Sequence, residues 1–200
     1  MTDVMSIGRG GPSTAETSFR AELAAAAAVE DRPLRVLELG TRRWIPDFAT
    51  HHAAWAPPGV EWIKSDMEAG VDVDVVADAH DLAGSNAQAF DLRFDAYVAV
   101  SVYEHLRRPW VAAESVRDVL RPGGLVYVAT HQTFPLHGYP HDYFRFSREA
   151  LAGIFDDAGF VIVDGGYTYP ATITPPAEVD RWNPGAPAFL NVDVFAQVPG

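Results

Sequence analysis

Seven short apolar runs, rich in valine, alternate along the chain with helical or turn-like stretches. Near-continuous apolar runs are typical of parallel strands that are buried on both faces of a sheet. The predicted strands are Leu34–Leu39, Val60–Ser65, Val73–Ala77, Asp95–Val100, Leu125–Thr130, Phe160–Asp164 and Leu190–Val198. This alternation predicts a single α/β domain, residues 1–200, with a doubly wound, mostly parallel seven-stranded sheet and an antiparallel last strand.

Four helices are predicted before and between these strands, at residues 13–30, 46–55, 109–120 and 147–158. Ser13 or Thr14 is the expected cap of the first helix, Pro46 suits a first helical position, and Ser147 is an expected N-cap. The first helix is expected either to cover the sheet or to lie across the mouth of a pocket. Residues 1–12 are polar and glycine-rich, so we expect them to be mobile.

The composition narrows the chemistry that this domain can perform. The chain has 200 residues and no cysteine, which excludes disulfides, thiolate zinc sites and a cysteine nucleophile. The net charge of −12 disfavours nucleic-acid binding, because an acidic surface repels phosphate backbones. No apolar run is long enough to span a bilayer, and the first eleven residues lack the core of a signal peptide. We therefore expect a cytoplasmic protein without membrane contact.

Polar or small residues stand directly after most of the predicted strands. In doubly wound sheets, ligands bind beyond the carboxyl ends of the strands, so these positions are the candidates for a binding site. They are Glu38, Gly40 and Thr41; Asp66; Asp78, Ala79 and His80; Ser101, Val102, Tyr103, Glu104 and His105; and His131 and Gln132.

Three passages, Val36–Gly40, Phe94–Leu106 and Val119–Leu125, follow one another along the chain. They resemble the first motif, the fourth strand with its loop, and the Arg/Lys-Pro-Gly-Gly turn of the class I (Rossmann-like) S-adenosylmethionine-dependent methyltransferases. A further passage, Leu136–Phe146, contains His-Gly-Tyr-Pro-His-Asp-Tyr-Phe-Arg-Phe and is similar to a bacterial subgroup often associated with glycan and natural-product pathways. The resemblance covers nearly the whole chain and implies S-adenosylmethionine as cofactor.

The resemblance also implies a set of cofactor-binding residues. Gly40 permits a close backbone approach because it lacks a Cβ, Asp66 would accept the ribose hydroxyls, and Asp78 would accept from the adenine amino group. The alternative for Glu38 is a strand-end carboxylate bonded to nearby backbone N–H groups. Thr41-Arg42-Arg43 replaces further glycines, which argues against NAD, because the pyrophosphate uses a glycine-rich turn. The predicted cofactor-binding residues are Glu38, Gly40, Thr41, Asp66, Met67, Asp78, Ala79 and Ser101.

Several histidines and an aspartate follow the fourth and fifth predicted strands, and we expect them to bind the methyl acceptor. His105 is expected to act as general base on an acceptor hydroxyl, or to be a structural anchor. His141 or Asp142 is the alternative base, although Asp142 can instead pair with Arg145 and fix the loop. The predicted catalytic residues are His105, His141 and Asp142, and the predicted substrate-binding residues are His131, His137, Tyr139, Tyr143 and Arg145.

A metal site is not expected. Three histidines and an acid that could bind a metal lie in one segment: His131, His137, His141 and Asp142. The spacing of 137 and 141 would place two of them on one helical face, but Gly138 and Pro140 break any helix there. An acceptor-binding loop is therefore the preferred interpretation of this segment. The proline-rich segment 167–187 is expected either to close the acceptor side or to pack against a partner subunit in a homodimer.

The expected activity is methyl transfer from S-adenosylmethionine to a hydroxyl of a small polar acceptor, such as a sugar or a natural product. One alternative is a non-catalytic binding module that keeps the fold, which Arg42-Arg43 in place of glycines motivates. Another is an NAD-dependent oxidoreductase, which the missing Gly-x-Gly-x-x-Gly disfavours.

Overall fold

One seven-stranded sheet forms the centre of the computed structural model, which describes residues 11–85, 93–138, 141–174 and 187–200. The strands are β1 (Leu34–Leu39), β2 (Val60–Asp66), β3 (Val75–Val76), β4 (Phe94–Val100), β5 (Leu120–His131), β6 (Val161–Ala171) and β7 (Ala188–Gln197). They lie in the order β3-β2-β1-β4-β5-β7-β6. The first five run parallel, whereas β7 pairs antiparallel with both β5 and β6. The predicted fold class is therefore confirmed.

Helices cover both faces of this sheet. They are α1 (Thr14–Val29), α2 (Leu82–Ser85), α3 (Pro109–Val119) and α4 (Arg148–Asp157), with short 3₁₀ turns at Ala53–Trp55 and Tyr103–His105. Val36 of β1 packs in the core on the α1 side, and Leu37 packs in the core that includes α3 and α4. Neighbouring residues on one strand thus enter different cores, as expected for a strand buried on both faces. Within the described ranges, no helix is long and apolar enough to cross a membrane.

Helix α1 covers the sheet and does not lie over the candidate pocket. The Ser13 side chain caps it by accepting the Glu16 backbone N–H at 2.9 Å. Its buried Phe19 ring lies 5.6 Å from the Tyr127 ring of β5 and 5.9 Å from the Phe195 ring of β7. The alanine-rich sequence favours the helix, and the aromatic contacts hold it against the antiparallel part of the sheet.

The predicted helix over residues 46–55 is wrong. Asp47 has a φ of +63°, and only Ala53–Trp55 form a single 3₁₀ turn. The reason lies in the buried Glu38 carboxylate, which accepts the His52 backbone N–H at 2.9 Å. A helix would direct that N–H to a carbonyl four residues earlier, so the helix and the carboxylate compete for one donor.

Three strands differ from the prediction by more than two residues in length. β5 begins at Leu120 instead of Leu125, because Leu120 already pairs with Phe94 of β4. β3 is shorter, because the Asp74 carboxylate accepts the Lys64 backbone N–H at 2.9 Å in place of a strand partner. β6 is longer, because β7 pairs with it as far as Ala171. The first part of the predicted loop 167–187 is therefore strand. Residues 1–10, which were expected to be mobile, and residues 175–186 of the proline-rich segment lie outside the described residues.

Strand β7 connects parts of the chain that are distant in sequence. Its Asp193, which is 1% exposed, accepts the Tyr127 hydroxyl at 3.1 Å, the Gly166 backbone N–H at 3.1 Å, and the Ser13 hydroxyl. Burial raises the pKa of the Asp193 carboxyl, and these hydrogen bonds oppose the rise. One carboxylate thus ties α1, β5 and β6 to β7.

Candidate active site

The candidate site lies at the edge of the sheet where the parallel strands end. β1, β2 and β4 pair in parallel, so their carboxyl ends lie side by side. Gly40, Asp66 and Ser101 stand at these ends. The carboxyl end of β5 places His131 at the same edge. We call the part at β1–β4, which carries predicted cofactor-binding residues, the cofactor half, and the part at β4–β5, which carries predicted substrate-binding residues, the acceptor half.

Gly40 is required by both its backbone angle and its surroundings. Its φ is +78°, in the left-handed region that side chains disfavour. A Cβ at this position would overlap a methyl group of Val102, which follows β4. The loops after β1 and β4 therefore touch at the position where the resemblance places the cofactor.

Replacing Gly40 with alanine should destabilise the protein by about 2–3 kcal/mol, because an overpacking cost adds to the backbone cost. Gly59 is a matched control, because its φ is +86° and nothing lies within 4 Å of the position that a Cβ would take there. Urea unfolding of Gly40→Ala and Gly59→Ala separates the two costs. Adding Val102→Ala to Gly40→Ala should restore part of the loss; equal losses in the two single variants would contradict the packing argument.

The Asp66 carboxylate joins the loops after β1 and β2 and can still accept further hydrogen bonds. Its carboxylate oxygens accept the Arg42 backbone N–H at 3.2 Å and the Glu68 backbone N–H at 3.1 Å. A carboxylate has about four lone-pair positions, so ribose hydroxyls can still bind beside these two donors. Thr41 is buried, and its hydroxyl donates to the Asp72 carbonyl at 2.7 Å. The Thr41 side chain thus fixes the loop after β1.

The rest of the predicted cofactor set is divided between surface and core. The Asp78 carboxylate accepts the His80 backbone N–H at 2.9 Å and faces the His80 ring at 2.8 Å. Burial raises the pKa of Asp78, but the hydrogen bonds with His80 outweigh it and the pKa is lowered. Met67 is 70% exposed, Ala79 is in the core, and Ser101 is exposed with a φ of +56°. Asp78 stays ionised and suited to accept a hydrogen bond.

A cavity of about 400 Å³ adjoins Asp78 through its partner His80. Its other lining residues are Arg107 and Arg108, which follow the 3₁₀ turn after β4. The volume lies within the ordinary range for small-ligand sites, about 300–1,000 Å³.

Glu38 is committed to protein contacts. Its carboxylate is 2% exposed and accepts the Trp62 indole N–H at 2.6 Å and the His52 backbone N–H at 2.9 Å. The His52 ring nitrogen lies 2.7 Å from the same carboxylate. These contacts match the alternative interpretation of Glu38 as a strand-end anchor, while direct cofactor contact stays a prediction.

Glu104 is the centre of the acceptor half. It is one of the strand-end candidates, but it is absent from the predicted catalytic and substrate-binding residues. It lies in the 3₁₀ turn after β4 and is fully buried, with Oε2 accepting the Thr130 hydroxyl at 2.6 Å. Its Oε1 has no hydrogen-bond partner among the described residues. The sequence signal for this residue is its position between Tyr103 and His105, directly after a predicted strand.

Three histidines surround that oxygen. Glu104 Oε1 lies 3.2 Å from His131 Nε2, 3.7 Å from His105 Nε2 and 3.8 Å from His137 Nε2. Burial lowers the pKa of His131, against the opposing effects of Glu104 and a hydrogen bond to Asn191. The structure thus brings together three of the predicted residues around a carboxylate.

Asp142 and Arg145 pair with each other and fix the loop before α4. The guanidinium donates to the two carboxylate oxygens at 2.6 and 2.8 Å and also to the Pro135 carbonyl at 3.0 Å. The Asp142 carboxylate further accepts the His137 backbone N–H at 3.0 Å. The hydrogen bond from Arg145 holds the pKa of Asp142 well below its usual range. This arrangement matches the alternative of a loop-fixing pair, and leaves Asp142 poorly suited to accept a proton.

His141 and Tyr143 lie on the solvent side of this loop. The His141 ring stacks on the Tyr143 ring with centroids 6.0 Å apart, and its Nδ1 lies 3.2 Å from the tyrosine hydroxyl. Tyr143 is 45% exposed, so its ring can form a wall for an acceptor. Tyr139 lies outside the described residues.

The sequence matches the family model described as a methyltransferase domain over residues 13–164. This match includes both halves of the candidate site. No curated protein matches the chain at a significant level.

Three solved structures share the fold. An S-adenosylmethionine-dependent methyltransferase from Clostridium acetobutylicum ATCC 824 is 8% identical, with a TM-score of 0.60 over 96% of this chain and 94% of that chain. The 1,6-didemethyltoxoflavin-N1-methyltransferase of Burkholderia thailandensis, with bound 1,6-didemethyltoxoflavin and S-adenosylhomocysteine, is 17% identical, with a TM-score of 0.59 over 94% and 79%. A SAM-dependent methyltransferase from Archaeoglobus fulgidus is 14% identical, with a TM-score of 0.55 over 90% and 93%.

At these identities the likeness to the solved structures concerns the fold, whereas the family match spans most of the sequence. The strand ends that carry the site lie within the matched residues. The chain therefore belongs to the methyltransferase domain family, and S-adenosylmethionine is its cofactor.

Proposed function

We propose that this protein transfers a methyl group to a hydroxyl of a small polar acceptor, such as a sugar or a natural product. The observation that carries the proposal is the orientation of His105 at the border between the two halves of the site. The His105 Nδ1 lies 2.7 Å from the His141 backbone carbonyl, which can only accept a hydrogen bond. The proton therefore sits on Nδ1, and Nε2 carries the lone pair of a general base.

Bound S-adenosylmethionine supplies an electrophilic methyl group on a sulfonium. Asp66 is proposed to accept the ribose hydroxyls, Asp78 to accept from the adenine, and the Ala79 backbone N–H to contact the same ring. Trp44 and Met67, each 70% exposed, stand in the loops that flank Asp66, where a flat base can cover apolar surface. These contacts would hold S-adenosylmethionine at the cofactor half.

A base favours oxygen acceptors over amines. A hydroxyl loses its proton when it is methylated, and a general base that accepts this proton lowers the barrier. A neutral amine already has a free lone pair and needs no base before the attack. His105 therefore supports a hydroxyl acceptor, with Tyr143 offering an exposed ring against a sugar or an aromatic compound.

The test is methyl transfer from methyl-deuterated S-adenosylmethionine to matched sets of acceptors, read by mass spectrometry. Each set contains a hydroxylated sugar or natural product, its deoxy form and its amino form. We expect labelled product from the hydroxylated members and none from the deoxy members. Product from the amino members alone, or methylation at carbon, would contradict the proposal.

A further inference from the structure

We infer that Glu104, His131 and His137 form a binding site for a divalent transition-metal cation, with Zn²⁺ as the best fit. Among the described residues, their ligand atoms all lie within 4.8 Å of one another. Imidazole nitrogens with one carboxylate oxygen are a ligand set that zinc takes in proteins, with a further position open for water or substrate. This inference does not depend on the proposed acceptor.

The spacing of the ligand atoms suits a tetrahedral ion. Bonds of 2.0–2.1 Å place neighbouring tetrahedral ligand atoms about 3.3 Å apart. Glu104 Oε1 lies 3.2 Å from His131 Nε2 and 3.8 Å from His137 Nε2. The three ligand atoms lie within 4.8 Å of one another, so movement of the partly exposed His137 side chain would close the set.

Hydrogen bonds at the Nδ1 atoms of His131 and His137 leave the Nε2 atom of each ring free to face the Glu104 carboxylate. The His131 Nδ1 lies 2.9 Å from the Asn191 amide oxygen, and the His137 Nδ1 lies 3.2 Å from the Pro135 carbonyl. Because these oxygens accept, Nδ1 carries the proton in the neutral form of each ring, and Nε2 then carries the lone pair that a metal ion needs. Metal-binding histidines characteristically donate their second nitrogen to an oxygen in this way.

The buried carboxylate supplies an independent reason for a cation. Glu104 is fully buried, and its Oε1 lacks a hydrogen bond among the described residues. An unpaired buried carboxylate oxygen beside two nitrogen lone pairs is costly, and a cation at their centre removes that cost. Oε2 is already held by the Thr130 hydroxyl at 2.6 Å, so the carboxylate is oriented toward the histidines.

The surroundings hold the ligands in place before any ion binds. The Phe134 ring stacks on the His131 ring with centroids 4.1 Å apart and an angle of 8°. The Arg145–Asp142 pair fixes the backbone of His137 through the bond at 3.0 Å to its N–H. His105 lies outside the three-residue group, with Nε2 3.7 Å from Glu104 Oε1.

The group of Glu104, His131 and His137 differs from the residues on which the sequence-based expectation of no metal was based. That expectation weighed three histidines and Asp142 together, and it set a metal aside because His137 and His141 cannot share a helical face. In the structure the His141 ring contacts Tyr143 instead. The structure groups His137 with His131, six residues earlier, and with Glu104 from the turn after β4. The argument from helical spacing therefore does not apply to this group.

Titration calorimetry with Zn²⁺ tests the site in tag-free protein that has been dialysed against a chelator. We expect one Zn²⁺ per chain, no competition by Mg²⁺, and a Co²⁺ adduct with the visible absorption of a tetrahedral site. His131→Gln and His137→Gln should each weaken Zn²⁺ binding by about a hundredfold, and Asn191→Leu by about tenfold, because it only positions His131. His51→Gln is the matched control and should bind as the wild type does.

A protonated histidine that shares its proton with Glu104 is the competing explanation. In that case Zn²⁺ would bind weakly or at several sites, and the two ligand variants would lose less than about tenfold in affinity. Either result would overturn the inference. The measurement uses neither the cofactor nor turnover, so its outcome is separate from that of the acceptor test.

Discussion

Replacing His105 with glutamine should slow methyl transfer on the order of a hundredfold, the usual contribution of a general base. Glutamine keeps a donor for the His141 carbonyl, which His105 contacts at 2.7 Å, but has no nitrogen lone pair to accept a proton. The expected loss is in kcat, because the side chain acts only as the acceptor hydroxyl loses its proton. Steady-state kinetics with the best acceptor of the panel measures it.

The control for this variant is His51→Gln, which changes a histidine outside the acceptor half and should leave kcat unchanged. The affinity for S-adenosylhomocysteine should be the same in both variants and in the wild type. Zn²⁺ affinity should also be preserved in His105→Gln, because His105 is not in the ligand group. A kcat within about threefold of wild type would show that His105 is a structural anchor, since a general base contributes far more than that.

Replacing Glu38 with glutamine should lower the free energy of unfolding by about 3 kcal/mol, because a buried carboxylate and its donors are mismatched. Glutamine has one acceptor oxygen where the carboxylate serves Trp62, the His52 backbone and the His52 ring. For a chain of 200 residues this loss corresponds to a melting temperature lower by about 6–12 °C. Urea unfolding and thermal melts measure the change. Glu61→Gln is the control, since Glu61 is an exposed partner of Arg35 and should cost less than about 1 kcal/mol.

Asp66 should behave in the opposite way to Glu38. Asp66→Asn should weaken S-adenosylhomocysteine binding by about 2 kcal/mol, roughly thirtyfold, since it removes charge-assisted bonds to the ribose hydroxyls. Its stability should fall less than that of Glu38→Gln, because its two backbone donors lie near the surface. The opposite pattern, with affinity lost in Glu38→Gln and kept in Asp66→Asn, would exchange the roles of the two carboxylates.

The sheet was predictable because its strands are apolar runs that need no distant information. β1 agrees with the prediction at both ends, and β2 and β4 differ by one residue. The failed helix at 46–55 shows the limit of local patterns. Pro46 and the residues after it permit a helix, but Glu38, earlier in the chain, takes the His52 N–H that the helix would use.

The edge of the sheet that carries the site was also predictable, since parallel strands bring their carboxyl ends together. The arrangement around Glu104 was not. It depends on distances between residues 104, 131 and 137, which belong to three separate segments, and on Asn191 of β7, which orients His131. The turn that directs His137 is fixed by Arg145 and Asp142, and spacing along the sequence does not reveal it.

The position of β7 between β5 and β6 sets an order of events during synthesis. Within the described sheet β6 pairs with β7, so β6 leaves the ribosome before its neighbour exists. The edge of β5 stays open for the same interval, and an open strand edge can pair with other chains. β1 to β4 can assemble earlier, because all four precede β5 in the chain. His131 can contact Asn191 only after β7 has been synthesised and has paired with β5. The acceptor half is therefore the last part of the site to form in the nascent chain.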